Sequence, residues 1–275
     1  MSLFRSSHKQ MIAQLSILLL FALGLAYLGG ILYAATFADK MIFPEVPQSY
    51  TDGPATFKLQ ASDGAAITAT YLEAPAARRL LLYSHGNAAD LGMIRSYLEM
   101  FQAAGIAVLA YDYPGYGTSS NKASEAGVYA AADAAYRHAT TVLNFTPAQI
   151  TLYGRSLGSG PSCWLAQRYP VDRLILDGGF TSTFRVMTRI KLLPWDKFDN
   201  LARLPSIDCP VLIIHGTLDE TVPFTHAQNN WAALKGAKQK LWVEGAGHNN
   251  LRELCGQRYW DTVLPFIHGS HCMPQ

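Results

Sequence analysis

The pentapeptide Gly154-Arg155-Ser156-Leu157-Gly158 is where residue types and spacing in this chain most plainly suit chemistry. It follows the apolar run Ile150–Tyr153 and opens Leu157–Tyr169, which reads as a helix. A strand that enters a helix through so tight a turn strains its central residue and needs small neighbours two positions to either side. The hydroxyl of Ser156 then stands at the tip of the turn, at the positive end of a helix. The plain alternative for Ser156 is an ordinary helix N-cap.

A serine hydroxyl is a weak nucleophile near neutral pH and needs a base. His248 suits that role best. It follows Lys240–Val243 through Gly245-Ala246-Gly247, a loop able to present it over a strand end. His215 closes a strand, His138 lies inside a helix and His226 sits near a helix start. His8 precedes the apolar N-terminal segment, and His268 and His271 lie in the tail. The base needs an anionic partner to fix its tautomer. Asp219, which follows Val211–Ile214, supplies one in the chain order Ser, Asp, His. Asp177, one strand earlier, is its rival. A tetrahedral oxyanion needs two donors. One is the N–H of Leu157. The other is the N–H of Asn87, or next of Ala88, in Ser84-His85-Gly86-Asn87-Ala88. His85 reads as a buried brace of that loop rather than a base, and Arg155 as one half of a surface ion pair. Asp112 reads as a loop brace, and Tyr113 and Tyr116 either line an acyl pocket or pack under a turn.

The elements that must position these groups alternate strand and helix. Phe57–Gln60 and Ile67–Leu72 alternate like antiparallel strands. Leu80–Ser84 and Ile106–Tyr111 are short apolar runs, as expected of strands buried on both faces. Leu91, Ile94, Leu98 and Phe101 recur at helical spacing, and Gly105 is a stop. Ser124 caps an Ala-rich helix running towards Leu143. Leu174–Leu176 and Val211–Ile214 read as strands, and His226–Leu234 and Gly256–Ile267 as helices. The pattern predicts a mostly parallel central sheet with helices on both faces. Residues 179–208, which contain Pro194, Trp195 and Pro205, break the rhythm and are read as a small cap. In such sheets reactive groups lie just past the carboxyl ends of strands, where Ser156, Asp219, His248 and the Asn87 loop all fall.

With these motifs in place, the chain resembles the α/β-hydrolase superfamily. YSHGNAADLG (Tyr83–Gly92), YDYPGYGTSS (Tyr111–Ser120), LYGRSLGSGPS (Leu152–Ser162), LIIHGTLDETVPF (Leu212–Phe224) and WVEGAGHNNL (Trp242–Leu251) are similar to the alpha/beta-hydrolase-domain-containing family 17 and its bacterial relatives. The resemblance spans roughly Phe43 to Ile267. It implies an α/β-hydrolase fold with Ser156 as nucleophile, Asp219 as acid and His248 as base. Animal members remove palmitoyl groups from cysteine thioesters and carry a cysteine-rich, lipidated N-terminus in the cytosol. This chain departs from them there, with no cysteine before Cys163.

Instead, no charged residue occurs from Met11 to Ala38. At about 1.5 Å per residue a helix of that length crosses a hydrocarbon core of about 30 Å. The run exceeds a signal peptide's apolar stretch, and Thr36-Phe37-Ala38 is a poor cleavage site. The expected organisation is a cytoplasmic N-terminus over 1–10, a single-pass transmembrane anchor over 11–37 and a hydrolase domain over 38–275. Arg5 and Lys9 precede the anchor, whereas Asp39 and Lys40 nearly cancel after it. That asymmetry predicts a catalytic domain on the periplasmic or extracytoplasmic side, out of reach of cytosolic acyl-proteins.

Composition narrows the function further. Charged residues are 15% of the chain and the net charge is only +2, so no electrostatic case exists for nucleic acid. Cys163, Cys209, Cys255 and Cys272 form no CxxC pair, which argues against zinc or a redox dithiol. The expected activity is hydrolysis of carboxylic esters or thioesters through an acyl-serine, with no cofactor and no metal. A peptidase of the prolyl-oligopeptidase type and a non-catalytic membrane scaffold are the alternatives. Oligomeric state is not encoded in any pattern seen here.

Overall fold

The computed structural model describes residues 2–269; Cys272 and His271 lie outside the described residues. The chain divides after Ile42 into two units. The first is one helix, α1 (Ser2–Ile42), whose Met11–Ile42 part is long and apolar enough to cross a membrane. Side chains such as Ile17, Leu20 and Phe21 are exposed along it. The helix runs past the expected limit at residue 37. Nothing in Ala38-Asp39-Lys40-Met41-Ile42 breaks a helix, and the first residue that cannot continue one is Pro44. The second unit therefore begins at Phe43 rather than at residue 38.

The second unit is a single mostly parallel sheet flanked by helices. Its strands are β1 (Phe57–Gln60), β2 (Ala66–Leu72), β3 (Leu80–Ser84), β4 (Ala107–Tyr111), β5 (Ile150–Arg155), β6 (Arg173–Asp177), β7 (Val211–Gly216) and β8 (Lys238–Val243). Among the described residues they form one sheet in the order β1-β2-β4-β3-β5-β6-β7-β8. The β1–β2 and β2–β4 pairs are antiparallel and the remaining pairs parallel. β3, β4 and β7 are buried at every position, which is why their sequences are mostly apolar, with Ser84 and His215 only near the carboxyl ends of β3 and β7.

The principal helices are α2 (Leu91–Ala103), α3 (Glu125–Thr141), α4 (Ser159–Arg168), α5 (Thr183–Thr188), α6 (Asn200–Arg203), α7 (Phe224–Ala233), α8 (Leu251–Cys255) and α9 (Gln257–His268). α2 begins at Asp90, whose carboxylate accepts from the Met93 N–H, and α3 at Ser124, whose hydroxyl accepts from the Gly127 N–H. Leu98 and Phe101 of α2 and Tyr259, Val263 and Phe266 of α9 share one core with Val108, Tyr153, Ile175 and Leu212 of the sheet. Each such apolar side chain contributes about 1.5–3 kcal/mol by leaving water. Residues 179–208 fold as short pieces around α5 and α6, tied by Arg185 to Asp196 at 2.7 Å. The helix expected from Leu157 starts as a 3₁₀ turn over Ser156–Gly158 before α4 proper.

Candidate active site

β5 delivers Ser156 to the tip of the turn with φ +51°, in the left-handed region. The crowding around it explains the small residues. A Cβ on Gly154 would lie 2.5 Å from the Gly158 carbonyl oxygen, and one on Gly158 only 2.0 Å from that of Ser84. Both contacts are with backbone, which cannot rotate away.

β7 and β8 bring up the other two groups. After β7, the Leu218 N–H donates to the Ala246 carbonyl at 2.9 Å, which joins the loop of Asp219 to the loop of His248. Asp219 Oδ1 accepts from the Val222 N–H at 2.7 Å, and Oδ2 accepts from His248 Nδ1 at 2.7 Å. The Asp219 side chain is 1% exposed. Burial pushes its carboxyl up, but the hydrogen bond and charge of His248, the Val222 N–H and nearby His215 outweigh burial and hold it below the usual carboxylate value. His215 Nε2 donates to the Val222 carbonyl at 2.7 Å and lies 3.4 Å from Asp219 Oδ2. Burial keeps His215 below its ordinary value, and the ring braces the loop through the Val222 carbonyl. With Nδ1–H given to Asp219, His248 offers the Nε2 lone pair, and the Ser156 Oγ lies 3.0 Å from it. Asp177, the rival carboxylate, instead accepts from Tyr153 Oη at 2.6 Å.

The loop after β3 closes the third side. A Cβ on Gly86 would be 3.6 Å from the Ser156 Cβ, and Asn87 lines the same cleft as Ser156. His85 is fully buried, with Nδ1 donating to the Gly86 carbonyl at 2.7 Å and Nε2 3.2 Å from Asp112 Oδ1. Asp112 also accepts from the Leu91 N–H at 3.0 Å. Tyr113 Oη donates to the His85 carbonyl at 2.5 Å and Tyr116 Oη to the Asn87 carbonyl at 2.9 Å, so both tyrosines pack under the turn. Leu157, itself buried, is the second residue of the 3₁₀ turn, where the first N–H groups have no partner within the helix.

Ser156, His248 and Asn87 face a cleft of about 420 Å³ whose apolar wall includes Met93, Ile94 and Leu251 and whose charged wall includes Arg155, Asp177 and Arg252. No residue of 179–208 lines it, so that segment is not a lid over this cleft among the described residues. Beneath it the hydroxyls of Tyr97, Tyr153 and Tyr259 bond to one another, Tyr97 to Tyr153 at 2.9 Å and Tyr97 to Tyr259 at 2.6 Å. Burial drives the phenols of Tyr97 and Tyr153 well above their ordinary value, so they remain neutral hydrogen-bonding groups.

Arg155 corrects a reading made from sequence. It is not in a surface ion pair: its side chain is 19% exposed and reaches His248, with Nη1 3.2 Å from Nε2. The available signal was its place at the tip of β5, in register with Asp177. Cys163, Cys209 and Cys255 are free thiols, and Cys163 is buried within α4.

Residues 79–194 match the family model described as alpha/beta hydrolase fold. Alpha/beta hydrolase domain-containing protein 17B of Xenopus laevis is 39% identical over 220 residues, covering 78% of this chain and 76% of that protein. Protein 17C of Mus musculus is 41% identical over 205 residues, covering 73% of this chain and 62% of that protein's length. Among solved structures, an esterase of Pyrococcus furiosus superposes with a TM-score of 0.68 at 15% identity, covering 82% of this chain and 98% of that one. An esterase from Exiguobacterium antarcticum gives a TM-score of 0.62 at 18% identity, covering 77% of this chain and 98% of that one. At such identities the structural likenesses speak for the fold.

Proposed function

This chain belongs to the alpha/beta hydrolase domain-containing protein 17 family, and on that premise we propose that it is a membrane-anchored serine hydrolase cleaving carboxylic esters or thioesters. The observation that carries the reading is the run of contacts from Asp219 Oδ2 to His248 Nδ1 at 2.7 Å and from His248 Nε2 to Ser156 Oγ at 3.0 Å. Nucleophile, base and orienting carboxylate stand in the order and at the spacing that acyl transfer needs.

In the proposed reaction Ser156 Oγ attacks the acyl carbonyl carbon as its proton passes to His248 Nε2. The negative oxygen sits between the N–H groups of Asn87 and Leu157. Asp219 stabilises the imidazolium without taking its proton. His248 then gives that proton to the leaving alkoxide or thiolate, and the acyl-serine forms. Water repeats the sequence: its proton goes to Nε2, its oxygen to the carbonyl carbon, and Ser156 recovers its hydrogen as the acid departs. The apolar wall of Met93, Ile94 and Leu251 suits an acyl chain.

The anchor is the Met11–Ile42 part of α1, with residues before it in the cytoplasm and the domain from Phe43 onward on the extracytoplasmic side. Arg5 and Lys9 support that orientation. The test of the chemistry is a fluorophosphonate probe on membranes holding the full chain, beside Ser156→Ala. Wild-type labelling that vanishes in Ser156→Ala is expected, together with turnover of p-nitrophenyl esters and acyl thioesters. An unlabelled wild type overturns the reading, and cleavage of peptides alone overturns the substrate class.

A further inference from the structure

Arg155 donates from both terminal nitrogens into the space between β6 and the His248 loop. Nη2 donates to the His248 carbonyl and, at 3.5 Å, to Asn249 Oδ1. Nη1 is 3.4 Å from the Asp177 carbonyl and 3.2 Å from His248 Nε2, and Nε is 3.9 Å from Asp177 Oδ2. Room for this comes from Gly178, at φ +62°, where a Cβ would stand 2.4 Å from Nη1 and 3.0 Å from His248 Cε1. No other side chain fits there without displacing the guanidinium or the ring.

We propose that Arg155 is a positioning residue that competes with Ser156 for the His248 Nε2 lone pair and so biases the imidazole towards its proton-accepting state. The inference rests on the serine-hydrolase reading above and deepens it. With Nδ1–H committed to Asp219, Nε2 has one lone pair, and two donors converge on it: the Ser156 hydroxyl at 3.0 Å and Arg155 Nη1 at 3.2 Å. A guanidinium can only donate and keeps its charge at all working pH values. When the O–H bond of Ser156 breaks and an N–H bond forms on Nε2, that nitrogen becomes a donor too. Two cations then face each other, and the proton is pressed onward to the leaving group. The guanidinium does not drift away meanwhile, because the His248 and Asp177 carbonyls still hold it. Asp177 is itself fixed by the Tyr153 hydroxyl. The other charged or titratable groups around the imidazole are Asp219 and His215 from the β7 side and Asp177 from β6, with Arg252 of α8 lining the same cleft.

The test is the rate of fluorophosphonate labelling of the full chain in detergent, followed from about pH 5 to pH 9, the window in which a histidine base titrates. Wild type, Arg155→Gln and Arg155→Lys are compared, with thermal unfolding to verify folding and Arg155→Met in place of Gln should that variant not fold. Losing the charge shifts the acid limb of the Gln or Met profile upward by about one pH unit. Lysine keeps the charge but not the fork, so its acid limb stays with the wild type while the plateau rate falls about tenfold. A neutral variant whose acid limb superimposes on that of a labelled wild type overturns the role of Arg155 alone. A wild type that does not label overturns the hydrolase reading and this inference with it.

Discussion

At Gly158 the chain passes the end of β3 so closely that a Cβ there would stand 2.0 Å from the Ser84 carbonyl oxygen. The turn that carries Ser156 and the strand that leads into the Asn87 loop are thus fitted to each other through backbone alone. Gly158→Ala must drive them apart. The expected cost is about 2–3 kcal/mol of unfolding free energy, with fluorophosphonate labelling lost at least in large part. Gly53→Ala, where nothing lies within 4 Å of the new carbon, is the control and should stay within about 0.5 kcal/mol of wild type. Urea unfolding of the two variants side by side decides.

Asp219→Asn is expected to keep the fold and lose the chemistry. Its Oδ1 can still accept from the Val222 N–H, but an amide facing His248 Nδ1 favours the wrong tautomer, with the hydrogen on Nε2. Turnover of p-nitrophenyl esters should drop by about 10³–10⁴-fold with KM little changed. A loss below tenfold would mean that the carboxylate does not orient the base.

His226 gives the fold an acid-sensitive point away from the reaction. Its Nδ1 accepts from the Thr181 N–H at 3.2 Å and contacts the Thr181 hydroxyl at 2.8 Å, at the start of the 179–208 segment. Burial, and after it the charges of His215, Arg189 and Arg185, push its value down to about 4 from 6.5. The unfolded chain therefore binds the proton first. The stabilisation is complete above about pH 6.5 and is lost as pH falls through about 4. After allowance for solvent screening the loss is about 1–2 kcal/mol. Urea unfolding at stepped pH should show this slope in wild type and not in His226→Asn, which retains an acceptor but does not titrate.

Membrane orientation is tested by alkaline phosphatase fused to the C-terminus, which is active only outside the cytoplasm. Activity is expected, and moving Arg5 and Lys9 to neutral residues while adding two lysines after Lys40 should diminish it. An inactive fusion on the unaltered chain reverses the orientation.

The sheet was legible because its buried strands are continuous apolar runs. Leu80–Ser84 was read to its limits, and β4, β6 and β7 to within one or two residues at either end. Ser156, Asp219 and His248 stand out in the sequence because each lies in the turn or loop that follows a strand. Arg155 could not be read in the same way. Where a long side chain goes at a strand tip depends on register, here Arg155 opposite Asp177, and on the clearance left by Gly178, two facts that exist only once β5 and β6 are paired. The 179–208 segment was opaque for another reason. Its helices are too short for periodicity, and the buried Phe180, Phe198, Leu204 and Ile207 that hold it, with ionic contacts such as Arg185 to Asp196, do not recur at any regular spacing. The end of α1 is not marked by the apolar run, because Asp39 and Lys40 tolerate the helix and carry it on to Ile42.

The backbone of Ser156 sits at φ +51°, a conformation that a residue with a side chain adopts at a cost of about 1–2 kcal/mol. Glycine would occupy it at ease. The protein made by Ser156→Gly, expected to be inert on the proposed mechanism, should accordingly resist heat better than the native one. A side chain at this point of the chain works against thermal endurance, and the surrounding sheet is what keeps the serine in place.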